Sequence, residues 1–343
     1  MIYAYLFEAR SIQSYVFAGG KLRDMVAASN LVDQLTGSVL DSTLNSLDIK
    51  KDIGFSRRAG GAFYALSSNE NSIKRLATLW PLIVSGLAPS LEFITHVSAE
   101  KQAYQAVMKG LNILKVKRNN PVPIFPIVPP IAERAQRTGS GAIYSTKQGF
   151  SLPGESIDSS TEQKRKYAQK GLNESDSAAD ALAQKFSPFG ISPYWPKALT
   201  QEQGIKTKDV LPLVIHIDGN GLGQLLIQLG ESAEIAGEQY SELYLSFSEA
   251  ITKATLIAAQ RAVADTLTPR EGETIAARPL VLGGDDLTII VAADKAIAFS
   301  RAFIRAFEES SAESLQSLRQ RFSKLTVLAK QLPEKLTACG GIA

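Results

Sequence analysis

The sequence predicts an α+β protein built from two ferredoxin-like β-α-β-β-α-β units in tandem, joined by an irregular, partly helical connector. The order of strand-like and helix-period segments is the same in the N-terminal and C-terminal parts. Each part also places a Gly-Gly pair at the tip of its central hairpin, and the stretch between them, rich in proline and polar residues, keeps neither period. The boundaries expected are 1–118 for the first unit, 119–209 for the connector and 210–343 for the second.

Ile2 to Ala9 is dense in β-branched and aromatic residues, which suits a strand. Ser11 stands where a helix N-cap belongs. Ile12, Tyr15 and Val16, then Leu22, Met25, Val26, Leu31 and Leu35, keep a helical period broken at Gly19-Gly20. Ile53 to Arg58 and Ala62 to Leu66 flank Gly60-Gly61, so a hairpin with a tight glycine turn is expected. A helix from about Ser72 to Val84 and an apolar strand from Leu91 to Val97 complete the unit.

In the second unit the apolar strand Leu213 to Ile217 is broken by Gly219 to Gly223. Helical sequence covers Leu225 to Leu229 and roughly Glu238 to Ala264. Pro279 to Leu282, the turn Gly283-Gly284-Asp285-Asp286 and Leu287 to Val291 make the second hairpin. A helix from about Lys295 to Phe307, further helical sequence to about Leu328, and a strand from Leu336 to Ala343 follow. The connector is proline-rich from Asn119 to Pro130, polar from Ser151 to Asp176, and carries Pro188, Pro193 and Pro196 among aromatic residues.

The 343 residues are 45% hydrophobic and 21% charged, the balance of a globular chain long enough for two domains. No apolar run approaches the roughly 20 residues that span a bilayer, and Met1 to Glu8 lacks the basic-then-apolar order of a secretory leader. One cysteine, Cys339, allows neither a disulfide framework nor a thiolate zinc site within the chain, so no zinc is expected and a cytoplasmic setting is. The net charge of +3 does not by itself indicate nucleic acid. The runs Lys115-Val116-Lys117-Arg118 and Lys164-Arg165-Lys166 read as solvated helix faces. His96 and His216 sit in apolar strand-like runs without a His-Asp pair, which argues against a histidine-based nuclease site.

The chemistry concentrates at three carboxylates. In such a sheet the first strand lies beside the hairpin, so Asp218 at the strand end can stand next to Asp285 and Asp286 at the tip. Carboxylates that converge repel one another unless cations are bound, and hard oxygen ligands of this kind suit magnesium or manganese. Gly283 and Gly284 permit positive φ and a close backbone approach to phosphate. Gly219, Gly221 and Gly223, with Asn220 among them, form a nearly side-chain-free floor ahead of a helix whose first N–H groups suit a triphosphate. A Gly-Gly-Asp-Asp run alone reads equally well as a solvated turn; apolar strands on both sides and the matching Asp218 favour a catalytic metal site. No acyl-transfer nucleophile with its base is evident, so phosphoryl transfer is the better match.

At these residues the chain resembles the large palm-domain subunit of type III CRISPR effector complexes, the polymerase-like subunit of the Cmr and Csm systems. Ser11 to Val16 with Lys21-Leu22-Arg23-Asp24 and Ser29 is similar to that family's opening segment. Asp218-Gly219-Asn220-Gly221-Leu222-Gly223 is similar to its Asp-Gly-Asp-x-Met-Gly motif. Val281 to Asp286 matches its signature turn, and Ala338 to Ala343 resembles its Ser-Ala-Gly-Ile-Ala strand.

The resemblance implies two palm, or nucleotide-cyclase, domains. The second would join ATP into a cyclic oligoadenylate, with Asp218, Asp285 and Asp286 holding two metal ions. In the first, Ala62 and Phe63 stand where the second has Asp285 and Asp286, and its first strand has no aspartate, which implies a silent site whose Gly60 and Gly61 still shape a nucleotide pocket. Other effector subunits and RNA are implied partners. The departures also matter. No histidine-aspartate nuclease domain precedes the first palm, Arg137-Thr138-Gly139 resembles the edge of a zinc insert without its cysteines, and Asn220 replaces the second strand-one carboxylate. The chain ends at Cys339-Gly340-Gly341-Ile342-Ala343, which suits a reduced or stand-alone relative, or a truncated chain, as well as a regular effector subunit. Three readings stay open: a cyclase acting on ATP, a diguanylate-cyclase-like enzyme acting on GTP, and a non-catalytic scaffold that binds nucleotide or RNA.

Overall fold

The computed structural model describes residues 1–119, 128–146, 154–173, 178–196, 211–236, 240–268, 270–322 and 332–343. The first unit comprises β1 (Ile2–Arg10), α1 (Ile12–Phe17), α2 (Leu22–Thr36), α3 (Ser38–Ser46), β2 (Gly54–Ala59), β3 (Ala62–Ser67), α4 (Glu70–Leu87), β4 (Glu92–Glu100) and α5 (Ala103–Asn119). The connector contributes β5 (Tyr144–Thr146), β6 (Glu155–Ile157), α6 (Ser159–Asn173) and α7 (Ala178–Phe186). The second unit is β7 (Pro212–Gly219), α8 (Leu222–Ala236), α9 (Tyr240–Leu267), β8 (Ala277–Gly283), β9 (Asp286–Ala292), α10 (Ala293–Arg321) and β10 (Ala338–Ile342).

The two four-stranded sheets have the orders β2-β3-β1-β4 and β10-β7-β9-β8, all antiparallel. Numbered within each unit, both orders are the ferredoxin-like arrangement, as predicted. α3 and α5 are additions that the periodicity did not suggest. Ser11 is not a side-chain cap: it adopts φ 50°, and its hydroxyl donates to Glu92 Oε2 at 3.3 Å, while its carbonyl accepts from Tyr15. The helical sequence expected up to Leu328 is one helix, α10, ending at Arg321; residues 323–331 lie outside the described residues, as does most of the proline-rich 119–130 stretch.

β1 is buried on both faces because its side chains alternate between two cores. Tyr5 and Phe7 join Phe63 and Trp80 beneath α2, α3 and α4, where Phe7 stacks on Phe63 at 5.3 Å and Trp80 meets Phe63 edge-on at 5.3 Å. Leu6 and Tyr64, on the other face, belong to a core shared with α5, α8, α9, α10 and the second sheet. The two units are therefore fused through common apolar packing. Within it, α9 and α10 approach along small residues: Ala254, Ala258 and Ala262 face a seam where the Ser310 hydroxyl donates to the Ala254 carbonyl at 3.0 Å.

The described residues of the connector form a packed layer. α6 and α7 both lie on α2, and α7 also reaches α9 and β8. The Lys164-Arg165-Lys166 run corrects the expectation of a solvated face: Lys164 and Arg165 are each 2% exposed, and only Lys166 is solvated. Arg165 reaches Asp24 at 3.3 Å and Glu155 at 3.1 Å, and Lys164 Nζ donates to the Tyr15 carbonyl at 2.6 Å while sitting 4.0 Å from the Tyr15 ring. Burial pushes the Lys164 ammonium down to about 8. The partners lie far along the chain, so nothing local signals the burial. No helix among the described residues is long and apolar enough to cross a membrane.

Candidate nucleotide site at the hairpin tip

Asp218 is the penultimate residue of β7, before Gly219, and Asp286 opens β9, one step beyond the paired residues Ile217 and Leu287. Asp285 lies in the turn between β8 and β9. One carboxylate oxygen from each of Asp218, Asp285 and Asp286 falls within 4.8 Å of the others, and among the described residues no other group of acidic, histidine or cysteine side chains clusters this way. Asp218 is exposed; the other two are half-buried. Burial, followed by the charge of Asp218 and a hydrogen bond with it, holds the Asp285 carboxyl above the usual range. Asp286 is raised by burial first, then by its hydrogen bond with Asp218 and the charge of Asp285. A site that resists ionising all its carboxylates is one that a divalent cation would relieve, so the donor set fits magnesium or manganese.

The glycines divide by role. Gly284 adopts φ 60° in the turn, and its carbonyl accepts the Thr255 hydroxyl of α9 at 2.8 Å, which ties the tip to the long helix. At Gly219 the reason is space: an added Cβ would stand 2.8 Å from the Asp285 Cβ. Gly223, Gly283, Gly284 and Gly60 line a cavity of about 420 Å³, which Asp285 and Asp286 also border. Gly60, Gly61, Gly283 and Asp286 border a second cavity of about 100 Å³ that is also lined by His216 and Thr288. Asp218, Gly219, Asn220 and Gly221 border neither cavity, so of the predicted floor only Gly223 does. Asn220 turns away, its amide nitrogen donating to the Thr337 hydroxyl at 3.1 Å and its backbone N–H to the Thr337 carbonyl at 2.8 Å.

Structural pairing corrects the alignment of the two hairpins. Ala59 pairs with Ala62 around Gly60-Gly61, both of positive φ, whereas Gly283 pairs with Asp286 around Gly284-Asp285, of which only Gly284 has positive φ. Matched by turn, Gly61 and Ala62 of the first unit, not Ala62 and Phe63, stand where Asp285 and Asp286 stand in the second. Ala62 pairs with Glu8, so β1 does carry a carboxylate at the Asp218 position, a glutamate. It is engaged elsewhere: the Tyr64 hydroxyl donates to Glu8 Oε1 at 2.6 Å and Arg118 Nε to Oε2 at 3.1 Å.

The larger cavity lies between the units. Arg57, Tyr64, Lys115 and Arg118 come from the first; Leu222, Gly223 and the hairpin tip from the second, with apolar wall from Met108, Leu226 and Phe247. The sequence reading missed Arg57, Tyr64, Lys115 and Arg118. The available signal was an arginine pair, Arg57-Arg58, inside an otherwise apolar hairpin. Strand alternation separates them: Arg58 turns to the end of α2, donating to the Thr36 carbonyl at 2.7 Å and to Asp41 at 2.6 Å, while Arg57 lines the cavity.

Tandem ferredoxin-like units meeting at their hairpin tips define the class of fold. Solved structures sharing it include the Csm1–Csm4 cassette in complex with pppApA, at a TM-score of 0.55 and 12% identity, with 100% of this chain and 49% of that chain covered. The same cassette in complex with cA4 gives a TM-score of 0.54 and 13% identity over 99% of this chain and 49% of the other. With AMPPNP the values are 0.54 and 14%, over 100% and 49%. The chain thus spans about half the length of the chains it matches. No family model matches the sequence, and neither does any curated protein.

Proposed function

We propose that the chain is a relative of the large palm-domain subunit of type III CRISPR effector complexes and a nucleotidyltransferase that joins ATP into a cyclic oligonucleotide. The observation that carries this reading is the convergence of Asp218 with Asp285 and Asp286, the latter two at the border of a cavity to which both units contribute. Support also comes from the fold shared with cassettes solved with pppApA, cA4 and AMPPNP.

Asp218, Asp285 and Asp286 would hold two magnesium or manganese ions. Bound there, these ions would make the ribose 3′-hydroxyl more acidic and offset charge on the α-phosphate and the departing pyrophosphate. The hydroxyl oxygen bonds to the α-phosphorus as the bond to the β-phosphate oxygen breaks; pyrophosphate leaves with the electron pair and the hydroxyl proton passes to solvent. The chain's own groups position the reactants. The start of α8, whose first N–H groups lack intrahelical partners, lines the cavity at Leu222 and Gly223, and Thr255 holds the turn in register through Gly284. The apolar wall at Met108, Leu226 and Phe247 offers a face for a base. Association with effector subunits and RNA belongs to the same reading.

The test is incubation with labelled ATP or GTP and manganese, with and without RNA, followed by chromatographic resolution of products. Wild type is expected to release pyrophosphate and form a cyclic product from ATP, and Asp285→Ala/Asp286→Ala to form none. Identical traces from both proteins under every condition would leave only a nucleotide-binding scaffold, and a product from GTP alone would favour the diguanylate-cyclase-like reading.

A further inference from the structure

The two hairpins share one pairing register although their turns differ at Gly61 and Asp285. Each carries a bulge at the same offset from its tip, with the register shifting between Phe55 and Arg57 in β2 and between Pro279 and Val281 in β8. Arg57 therefore occupies the place of Val281, and Tyr64, its cross-strand partner, the place of Thr288. At the matching face of the second unit stand Asp218 and Asp286. The first unit has inverted the charge of that face: Ala62 replaces Asp286, Glu8 is neutralised by Arg118, and Arg57 is added.

Arg57 is held in a defined position. Its Nη1 donates to the Tyr64 hydroxyl at 3.2 Å, its guanidinium carbon lies 5.6 Å from the Tyr64 ring centroid, and the Tyr64 hydroxyl is in turn anchored on Glu8. A guanidinium with five donors keeps others free for a ligand. It borders the same cavity as Asp285 and feels the Asp285 charge directly. Lys115 on α5 adds a further cation to that wall, and Arg118, one helical turn on, borders it with its charge shared with Glu8.

We infer that Arg57, with Lys115 and Arg118, forms a polyphosphate-binding wall, by which the first unit grips the phosphate tail of a nucleotide whose reacting end lies at Asp285 and Asp286 of the second. The inference rests on the proposed function only for the identity of the reacting nucleotide. Arginine fits the role because its planar fork pairs with phosphate oxygens bidentately, and a cavity of about 420 Å³ enclosed by both units suits a small ligand. Tyr64 and Glu8 act through Arg57 and are positioning residues.

The test is calorimetric titration of the full chain with inorganic tripolyphosphate in magnesium. Arg57→Ala is expected to weaken binding at least about tenfold, the loss typical of a charge-assisted contact. Arg57→Lys should recover part of it, and Lys115→Ala, on an exposed side chain that does not threaten the fold, should weaken it about three- to tenfold. Tyr64→Phe should lower tripolyphosphate affinity while leaving adenosine binding unchanged. Wild-type affinity in both Arg57→Ala and Lys115→Ala, or no tripolyphosphate binding by wild type, overturns the inference. Arg57-dependent tripolyphosphate binding in a wild type that makes no product from ATP or GTP supports it while overturning the proposed reaction. Product formation with an unchanged KM for ATP in Arg57→Ala overturns it and leaves the reaction standing.

Discussion

Gly219 and Asp285 are in contact so close that no side chain fits between them: a Cβ on Gly219 would come within 2.8 Å of the Asp285 Cβ and 3.0 Å of a Leu222 methyl. The backbone at the end of β7 thus sets how near the hairpin tip approaches Asp218. Gly219→Ala is expected to push the tip outward, at a cost of about 1–3 kcal/mol in unfolding free energy. Manganese affinity and product formation should both fall at least about tenfold, since metal sites tolerate only small displacements. Denaturant unfolding and calorimetric manganese titration check this; a variant with unchanged manganese affinity would show that the contact does not position the carboxylates.

The Thr255 hydroxyl supports the tip from the α9 side. Thr255→Val keeps shape and loses the donor to the Gly284 carbonyl, so stability should fall by about 1 kcal/mol. The distinguishing expectation is kinetic: kcat should drop more than KM rises, because the hydroxyl orients the turn and does not touch nucleotide. Steady-state rates over a range of ATP concentrations separate the two.

Much of this architecture is readable from local sequence. Strand and helix periods, and glycine pairs bounded by apolar runs, are local signals, so the duplication and the meeting of Asp218 with Asp285 and Asp286 follow from pattern and topology. The rest depends on contacts between distant residues. The alignment of the hairpins slipped by one residue because Gly60-Gly61 and Gly283-Gly284 match as letters, whereas the paired positions depend on which turn forms. Arg57 became a cavity residue through the Ser56 bulge, which no composition rule marks. Glu8 went unnoticed as the counterpart of Asp218 in the first unit because its pairing with Ala62 and its engagement by Tyr64 and Arg118 appear only after folding.

Arg165 illustrates the same limit and yields a stability prediction. It is the shared cation between Asp24 of α2 and Glu155 of β6, with Lys21 and Arg137 completing the shell around Glu155. Arg165→Ala leaves Asp24 with its charge buried and should cost about 3–5 kcal/mol, whereas Lys166→Ala, one residue on and solvated, should cost less than about 0.5 kcal/mol. The three cations, led by Arg165, hold the Glu155 carboxyl well below its ordinary value against the opposing effect of burial. Its stabilisation is accordingly full above the unfolded value of 4.5 and is lost as pH falls below that. Thermal unfolding of the three proteins between pH 3 and 7 reads both effects.

The acidic site has the opposite sign. The pair Asp285 and Asp286 is pushed up to about 6 and about 8 from an ordinary 3.8. Between those values the folded chain holds protons that the unfolded chain has released, so metal-free stability should fall as pH rises from 4 to 8. Both groups are partly solvated, which limits the change to about 1 kcal/mol. Asp286→Asn should flatten this dependence, and magnesium or manganese should reverse it, because the metal competes with those protons. Melting curves with and without metal across that range decide the sign.

The central claim is that Asp218, Asp285 and Asp286 form one metal-dependent nucleotide site on the second unit. Its most direct measurement is manganese titration, followed by electron paramagnetic resonance, in the presence of a non-hydrolysable ATP analogue. Wild type should bind manganese with an affinity that falls at least about tenfold in each of Asp218→Asn, Asp285→Asn and Asp286→Asn, while Glu70→Gln, on the exposed first turn of α4, leaves it within about twofold. Equal manganese affinity in wild type and all three aspartate variants would contradict the account.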